Sequence, residues 1–425
     1  MHKLTRSLTL SLLMGVVALS AQAQNMAIKG AAILDVTTGE LYSGRVVLVK
    51  NGRIARVAPA GEVTIPAGSD VLDLQGHTLL PGLIDMHVHL TSGGGYHGYE
   101  RLKLTDERRA ILGVVHAEQT LMAGFTTVRN VGAGSFGDVA LRDAINDGDI
   151  PGPRMLVSGP PTGITGGHCS DNNLLPAEYG ISGEGVADGP WAARTAVRRN
   201  IKYGADLIKT CSTGGVLSKG TKVGAPQYTV EELTALVDEA HSRGLKVASH
   251  AHGAQGIINA LHAGADTIEH ASFINDEGIQ LAIENNAALS MDIYVTEYIL
   301  GEGASAGILK ESLEKERMTG STQRANFSKA VEAGATIVYG TDAGVYPHGQ
   351  NAKQFSRMVR FGMTPLQAIQ SATVTAAEVM GWGYDVGKIE AGFAADFVAV
   401  KGNPLGNIEV LEEPAAVIKG GVRYR

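Results

Sequence analysis

Six residues with metal-ligand chemistry recur along this chain, each closing a short apolar run. They are His87 and His89 in Gly82-Leu-Ile-Asp-Met-His-Val-His89, Lys209 after Asp-Leu-Ile, His250 after Lys-Val-Ala-Ser, His270 after Asp-Thr-Ile-Glu, and Asp342 after Tyr-Gly-Thr. Imidazole nitrogens and carboxylate oxygens are donors for divalent cations. On a strand, positions i and i+2 share one face, so His87 and His89 can grip one ion together. His250 and His270 would serve a second ion. Asp342 could ligate the first ion and also take a proton from water. Gathered in one place, the set describes a two-metal hydrolytic centre. Lys209 is the odd member, since an ammonium group has no lone pair to give.

Residues this far apart meet only if the fold brings strand ends together, and the sequence repeats a unit that does so. A glycine closes a helical stretch and a β-rich run follows at Gly124, Gly204, Gly244, Gly264 and Gly334. Glycine accepts the left-handed conformation that ends helices. Helix, glycine, strand, repeated, is the pattern of βα units around a parallel sheet. Thr229 with Glu232 reads as a capping box, and Thr364-Pro365 as a helix start. Strands are expected near 83–89, 125–130, 154–159, 206–210, 246–250, 267–270, 288–293 and 336–342. Eight strands over this length predict a (β/α)8 TIM barrel at 81–382, whose strand ends converge at one mouth. A doubly wound open sheet would instead scatter the six residues along an edge. Residues 24–80 and 383–425 carry short alternating runs broken by glycine and asparagine, the grammar of antiparallel strands. They predict one small β-sandwich built from both termini.

Composition narrows the function classes. The chain has 425 residues, 44% hydrophobic and 19% charged, with a net charge of -7. Without a basic run there is no footprint for nucleic acid. Residues 1–23 read as a signal peptide, with Lys3 and Arg6 before an apolar stretch and Ala21-Gln-Ala23 as the cleavage site. That stretch is too short to span a bilayer, so no membrane anchoring is expected and the mature protein is expected to be secreted or periplasmic. The cysteines, Cys169 and Cys211, would follow neighbouring strands and could pair; two buried free thiols is the preferred reading.

Several motifs together carry a resemblance. Pro81-Gly-Leu-Ile-Asp-Met-His-Val-His89 and Gly387-Lys-Ile-Glu-Ala-Gly-Phe-Ala-Ala-Asp396 resemble the first-strand and closing segments of the metal-dependent amidohydrolase superfamily. Gly166-Gly-His-Cys169, Lys209-Thr-Cys-Ser-Thr-Gly-Gly215 and His250-Ala-His-Gly253 are similar to its group of Xaa-Pro dipeptidases, Xaa-Lys/Arg carboxypeptidases and ochratoxin-hydrolysing amidases. The resemblance implies that carbon dioxide adds to Lys209, giving a carbamate that bridges two divalent metals, zinc by default. It implies carbonyl-contacting roles for His168 and Tyr228, and a homo-oligomer. His252 is expected to pack or touch substrate while His250 ligates; Glu269 is expected to point away as a structural residue. Arg129 could bind a substrate carboxylate or an internal acid. Asn130 departs from the family pattern, where Asp is common. The activity implied is hydrolysis of an amide next to a C-terminal amino acid, in a dipeptide, an N-acyl amino acid or an ochratoxin-like amide. A cyclic-amide hydrolase or deaminase of the same superfamily, such as an imidazolonepropionase-like enzyme, is the rival; deaminases of this kind usually manage with one metal and no bridging lysine. A binding protein on a dead scaffold would have lost ligands, and all six are present.

Overall fold

The computed structural model describes residues 25–171 and 173–425, so the expected leader at 1–23 lies outside the described residues. Eight strands carry the core: β1 (Leu83–Val88), β2 (Phe125–Asn130), β3 (Arg154–Val157), β4 (Leu207–Cys211), β5 (Lys246–Gly253), β6 (Thr267–Phe273), β7 (Ala288–Ser290) and β8 (Ile337–Val338). They form two parallel sheets, one of order β3-β2-β1 and one of order β4-β5-β6-β7-β8. Hydrogen bonds cross both seams. Thr162, just past β3, bridges Thr210, and Val88 bridges Ala343, just past β8. The amide of Met86 donates to the Tyr339 carbonyl and that of Asp342 to the His87 carbonyl. Lys209 is in register with Ala248, His250 with Glu269, and Ala251 with His270. The ends of neighbouring strands are thereby level, which is what a shared site requires.

Helices between the strands form where the caps predict. Thr229 and Thr364 each make both bonds of a capping box, starting the helices Val230–His241 and Pro365–Ser371. Every strand contributes to the interior, and one apolar cluster includes Leu83, Phe125, Val157, Ile208, Val247 and Ile268. No helix of the described residues is long and apolar enough to cross a membrane.

The flanks form two further sheets. One has the order Arg53–Pro59, Arg45–Lys50, Met26–Lys29, Asp70–Asp73; the other joins Ala32–Leu34 and His77–Pro81 to Phe397–Lys401 and Ala416–Lys419. Both termini therefore share a sheet, with Phe397 opposite Pro81. Ile28, Val47 and Ile54 of the first sheet share an apolar cluster with Leu79, Phe397 and Ile418 of the second. The pairing is not purely antiparallel as expected: Met26–Lys29 runs parallel to Asp70–Asp73, and Ala32–Leu34 parallel to His77–Pro81. In both cases the intervening chain must cross from one end of the sheet to the other before pairing, which alternation alone cannot reveal.

The free-thiol reading is corrected. Cys169 and Cys211 form a disulfide, with Cα atoms 6.5 Å apart. The excursion after β3 folds back over the end of β4, where Thr162 pairs with Thr210, and this brings the sulfurs together. Bridging a separation of 42 residues should contribute about 4 kcal/mol by loop-closure entropy. A C169S/C211S protein should lose about 2–4 kcal/mol of unfolding free energy in urea, and the unreduced, unfolded chain should titrate no thiol. Two reactive thiols in that titration would contradict the bridge.

Candidate active site

All six ligand-type residues line a single cavity of about 500 Å³ at the C-terminal ends of the strands, together with His168 and His252. One Asp342 carboxylate oxygen lies 3.4 Å from His87 Nε2 and 3.2 Å from His89 Nε2. The imidazoles pack against one another, His250 lying 4.5 Å from His270 and 4.7 Å from His252 between ring centroids. Ligand atoms of His87, His270 and Asp342 fall within 4.8 Å of each other, and so do those of His250, His252 and His270. His252 stands in the same triangle as His250, its Nδ1 2.8 Å from the Ser272 hydroxyl. A bulge between Ala251 and Gly253 turns it inward. His270 (φ 68°) and Asp342 (φ 58°) both adopt left-handed backbone conformations. That is an unfavourable state for non-glycine residues, held by the surrounding packing and of a kind that clusters at functional sites.

A buried polar network holds the first histidine. His87 Nδ1 lies 2.8 Å from a Glu269 oxygen, and the other Glu269 oxygen accepts from Arg129 at 2.6 Å. Arg129 also donates to the Met86 carbonyl and to Thr267. Of the two alternatives for Arg129, the structure shows the internal acid: its guanidinium is engaged by Glu269, Thr267 and the Met86 carbonyl and is not a free carboxylate receptor. Glu269 is structural as expected, and more specifically it orients His87. Tyr228 is corrected too. It does not line the cavity, and its hydroxyl donates to the Ala187 carbonyl at 2.8 Å. Asn130 accepts from the Leu90 amide and donates to Asp138, a role in fixing the loop after β1.

Residues with no sequence signal complete the walls. Asp292 stands 3.0 Å from His270 Nδ1, and Gln323 donates to both Asp292 and the His270 carbonyl. Asp85 receives the amides of His87 and Thr341 and the side chains of Thr341 and Asn351, tying β1 to the Asp342 loop. His168 enters because Gly215 has no side chain; a Cβ there would stand 2.4 Å from its ring. That explains the second glycine of the Lys209–Gly215 motif.

The electrostatics prepare these groups as donors. Burial lowers Lys209 to about 8 and His168 to about 3, and holds His250 and His252 well below the usual imidazole range. Burial works against the Asp342 carboxylate, but hydrogen bonds from His87 and His89 overcome it and keep the group ionised. For His270 burial is outweighed by Asp292, which raises its pKa. His250 Nε2 is buried and has no hydrogen-bond partner among the described residues. A buried nitrogen left without a partner normally costs free energy; a cation would satisfy it. Neutral imidazoles beside an ionised carboxylate suit divalent metals, whose ligands must be deprotonated.

The chain is similar to known proteins over most of its length. The model of the amidohydrolase family matches residues 78–423. The ochratoxinase of Aspergillus niger is 34% identical over 372 residues, 82% of this chain and 75% of that protein. The solved structure of a Xaa-Pro dipeptidase with methionine bound in its active site is 38% identical, with a TM-score of 0.89, covering 95% of this chain and all of that one. The solved A. niger ochratoxinase gives 0.85 at 29% identity, covering 94% of this chain and 95% of that one.

Glu269→Gln should leave the fold intact while weakening metal affinity about 10–100-fold, the usual effect of removing a group that orients a ligand histidine. Competition against a chromogenic chelator measures it. An unaltered affinity would return Glu269 to a purely structural role.

Proposed function

Because the chain belongs to the amidohydrolase family and is a hydrolase acting on amide bonds, we propose that it cleaves the amide that joins an acyl group to a C-terminal amino acid. A dipeptide, an N-acyl amino acid or an ochratoxin-like amide fits. The observation that supports this most is the meeting of six ligand-type residues from separate strand ends in one cavity. The reading takes the eight strands as one barrel, closed through its two seams, and the flanking sheets as its companion sandwich.

His87, His89, Lys209, His250, His270 and Asp342 would hold two divalent ions, zinc being the default for this donor set. Such ions supply polarisation of the scissile carbonyl and acidification of the attacking water. Lys209 would serve as its carbamate. Its neutral nitrogen would attack carbon dioxide: a C–N bond forms as one C=O π bond gives way, one proton leaves to solvent, and the product shares a single negative charge between two oxygens. Burial supports this step, since a pKa near 8 leaves a share of neutral amine at physiological pH. Asp342 would accept a proton from the attacking water and pass it to the departing nitrogen. His168 would aim an N–H at the developing oxyanion; it is neutral above about pH 3 and packs 4.2 Å from the His250 ring. Tyr228 has no part in this arrangement.

Export to an oxidising compartment belongs to the same proposal. The Cys169–Cys211 bond supports it, because structural disulfides persist in such compartments. A homo-oligomer is proposed on the resemblance alone.

Lys209→Ala should abolish turnover and release at least part of the metal; full turnover would rule out the carbamate. Asp342→Asn should keep the fold and lower kcat by about 10²–10⁴-fold, the usual size of a general-base contribution. Steady-state kinetics on a dipeptide library, beside circular dichroism of each variant, reads both.

A further inference from the structure

The disulfide sits in the wall of the catalytic cavity, and its two halves are unlike. Both Cys169 and Cys211 line that cavity. Cys211 closes β4 and is fully buried, whereas Cys169 lies in the loop after β3 and is exposed. Cys169 also holds a left-handed backbone conformation (φ 56°), an unfavourable state for a residue with a Cβ. Exposed disulfides are the ones that thiols open, while buried structural bonds resist them. This one can be reached at Cys169, through the space in which substrate would sit.

What the bond holds in place is His168. Among the described residues, two links other than packing tie the loop tip at 166–170 to other elements. One is the disulfide; the other is the His168 amide, which donates to Gln227 at 3.0 Å. Further hydrogen bonds of the tip stay within its own loop, as from the Ser170 hydroxyl to the Ile164 carbonyl and from Asn173 to the Gly166 carbonyl. The His168 Nδ1 is buried without a hydrogen-bond partner. Its ring is placed by packing, 4.2 Å from the His250 ring and close against Gly215. A ring placed by packing stays only as long as its backbone does. The base of the loop is anchored separately, the Thr162 amide donating to the Lys209 carbonyl and the Cys211 amide to the Thr162 carbonyl. Opening the disulfide would therefore free the tip and leave the strands paired.

We propose that Cys169–Cys211 is a thiol-exchange site open to the catalytic cavity, and that a small aliphatic thiol opening it releases the loop tip that carries His168. The thiolate sulfur attacks Cys169 Sγ. The new S–S bond forms as the old one breaks, and the electron pair and negative charge leave on Cys211 Sγ. Return of the Cys211 sulfur expels the thiol and restores the bond, so the modification is reversible and consumes no oxidant. With His168 displaced, turnover slows; that consequence rests on the oxyanion role proposed above, while the exchange itself does not.

The test incubates the zinc-loaded native protein with reduced glutathione, traps free thiols by alkylation and maps the peptides by mass spectrometry. Glutathione should appear on Cys169 and the alkyl group on Cys211, with native circular dichroism. Hydrogen exchange should speed up at 166–170 and stay slow in β4 and β5. The kcat for a cleaved dipeptide should fall about 10²-fold in the opened fraction, the usual effect of losing one oxyanion donor, with KM little changed. Removing the thiol should restore it. Glutathione found only after denaturation, or only on Cys211, overturns the proposal, and so does an adduct whose tip exchanges no faster. An unchanged kcat in the opened protein overturns the control of turnover. C169S/C211S should not respond to the thiol; equal slowing there would trace the effect to metal withdrawal and reject the switch. If that variant does not fold, zinc analysis of treated wild-type protein decides, retained zinc with lowered kcat supporting the switch and lost zinc rejecting it. If no dipeptide is cleaved, the hydrolytic reading fails, and the adduct map with hydrogen exchange still decides the exchange site.

Discussion

Nitrogen donors can be buried side by side only if they do not all carry protons. Six neighbouring imidazoles, those of His87, His89, His168, His250, His252 and His270, and the Lys209 amine line this cavity, with contacting ring centroids 4.2–5.3 Å apart. Charged together they would repel and would lack solvation. The fold avoids this by sinking His168, His250 and His252 deep enough to stay neutral. Around them it places anions that are kept ionised, namely Asp342 between His87 and His89, and Glu269 between His87 and Arg129. The interior is thus assembled in the protonation state that cations need, and much of the remaining structure serves to hold it there.

That requirement explains where the backbone departs from regularity. His270 takes a left-handed conformation within β6 and Asp342 another in the loop just past β8, and a bulge follows Ala251. A smooth strand would alternate its side chains, sending every second donor away from the cavity. Asp85 joins the amides of His87 and Thr341 from beneath. The disulfide ties the loop that carries His168 to the end of the strand that carries Lys209.

Local chemistry made part of this visible in the sequence. The capping boxes at Thr229 and Thr364 and the glycines ahead of the strands are local signals, and those elements form where they were expected. The donors stood out because His and Asp at apolar strand ends are chemically conspicuous. What stayed hidden depended on pairing across the fold. Glu269 reads as an ordinary alternating strand residue until Arg129 and His87 are seen to flank it. Tyr228 occupies a motif-like position, yet its hydroxyl is taken by a carbonyl 41 residues away in the chain. Asp292 and Gln323 lie in helix and loop segments whose approach to the site no spacing predicts. The parallel pairs in the flanking sheets escaped for the same reason, because alternation marks a strand and not its partner's direction.

The account's central claim is that this gathered donor set exists to hold divalent cations that drive hydrolysis. Metal analysis of the purified protein, paired with turnover before and after exhaustive chelation, tests it most directly. The account predicts about two ions per chain, loss of turnover with their removal, and recovery when zinc and bicarbonate are returned. Undiminished hydrolysis by a protein stripped of metal would contradict it.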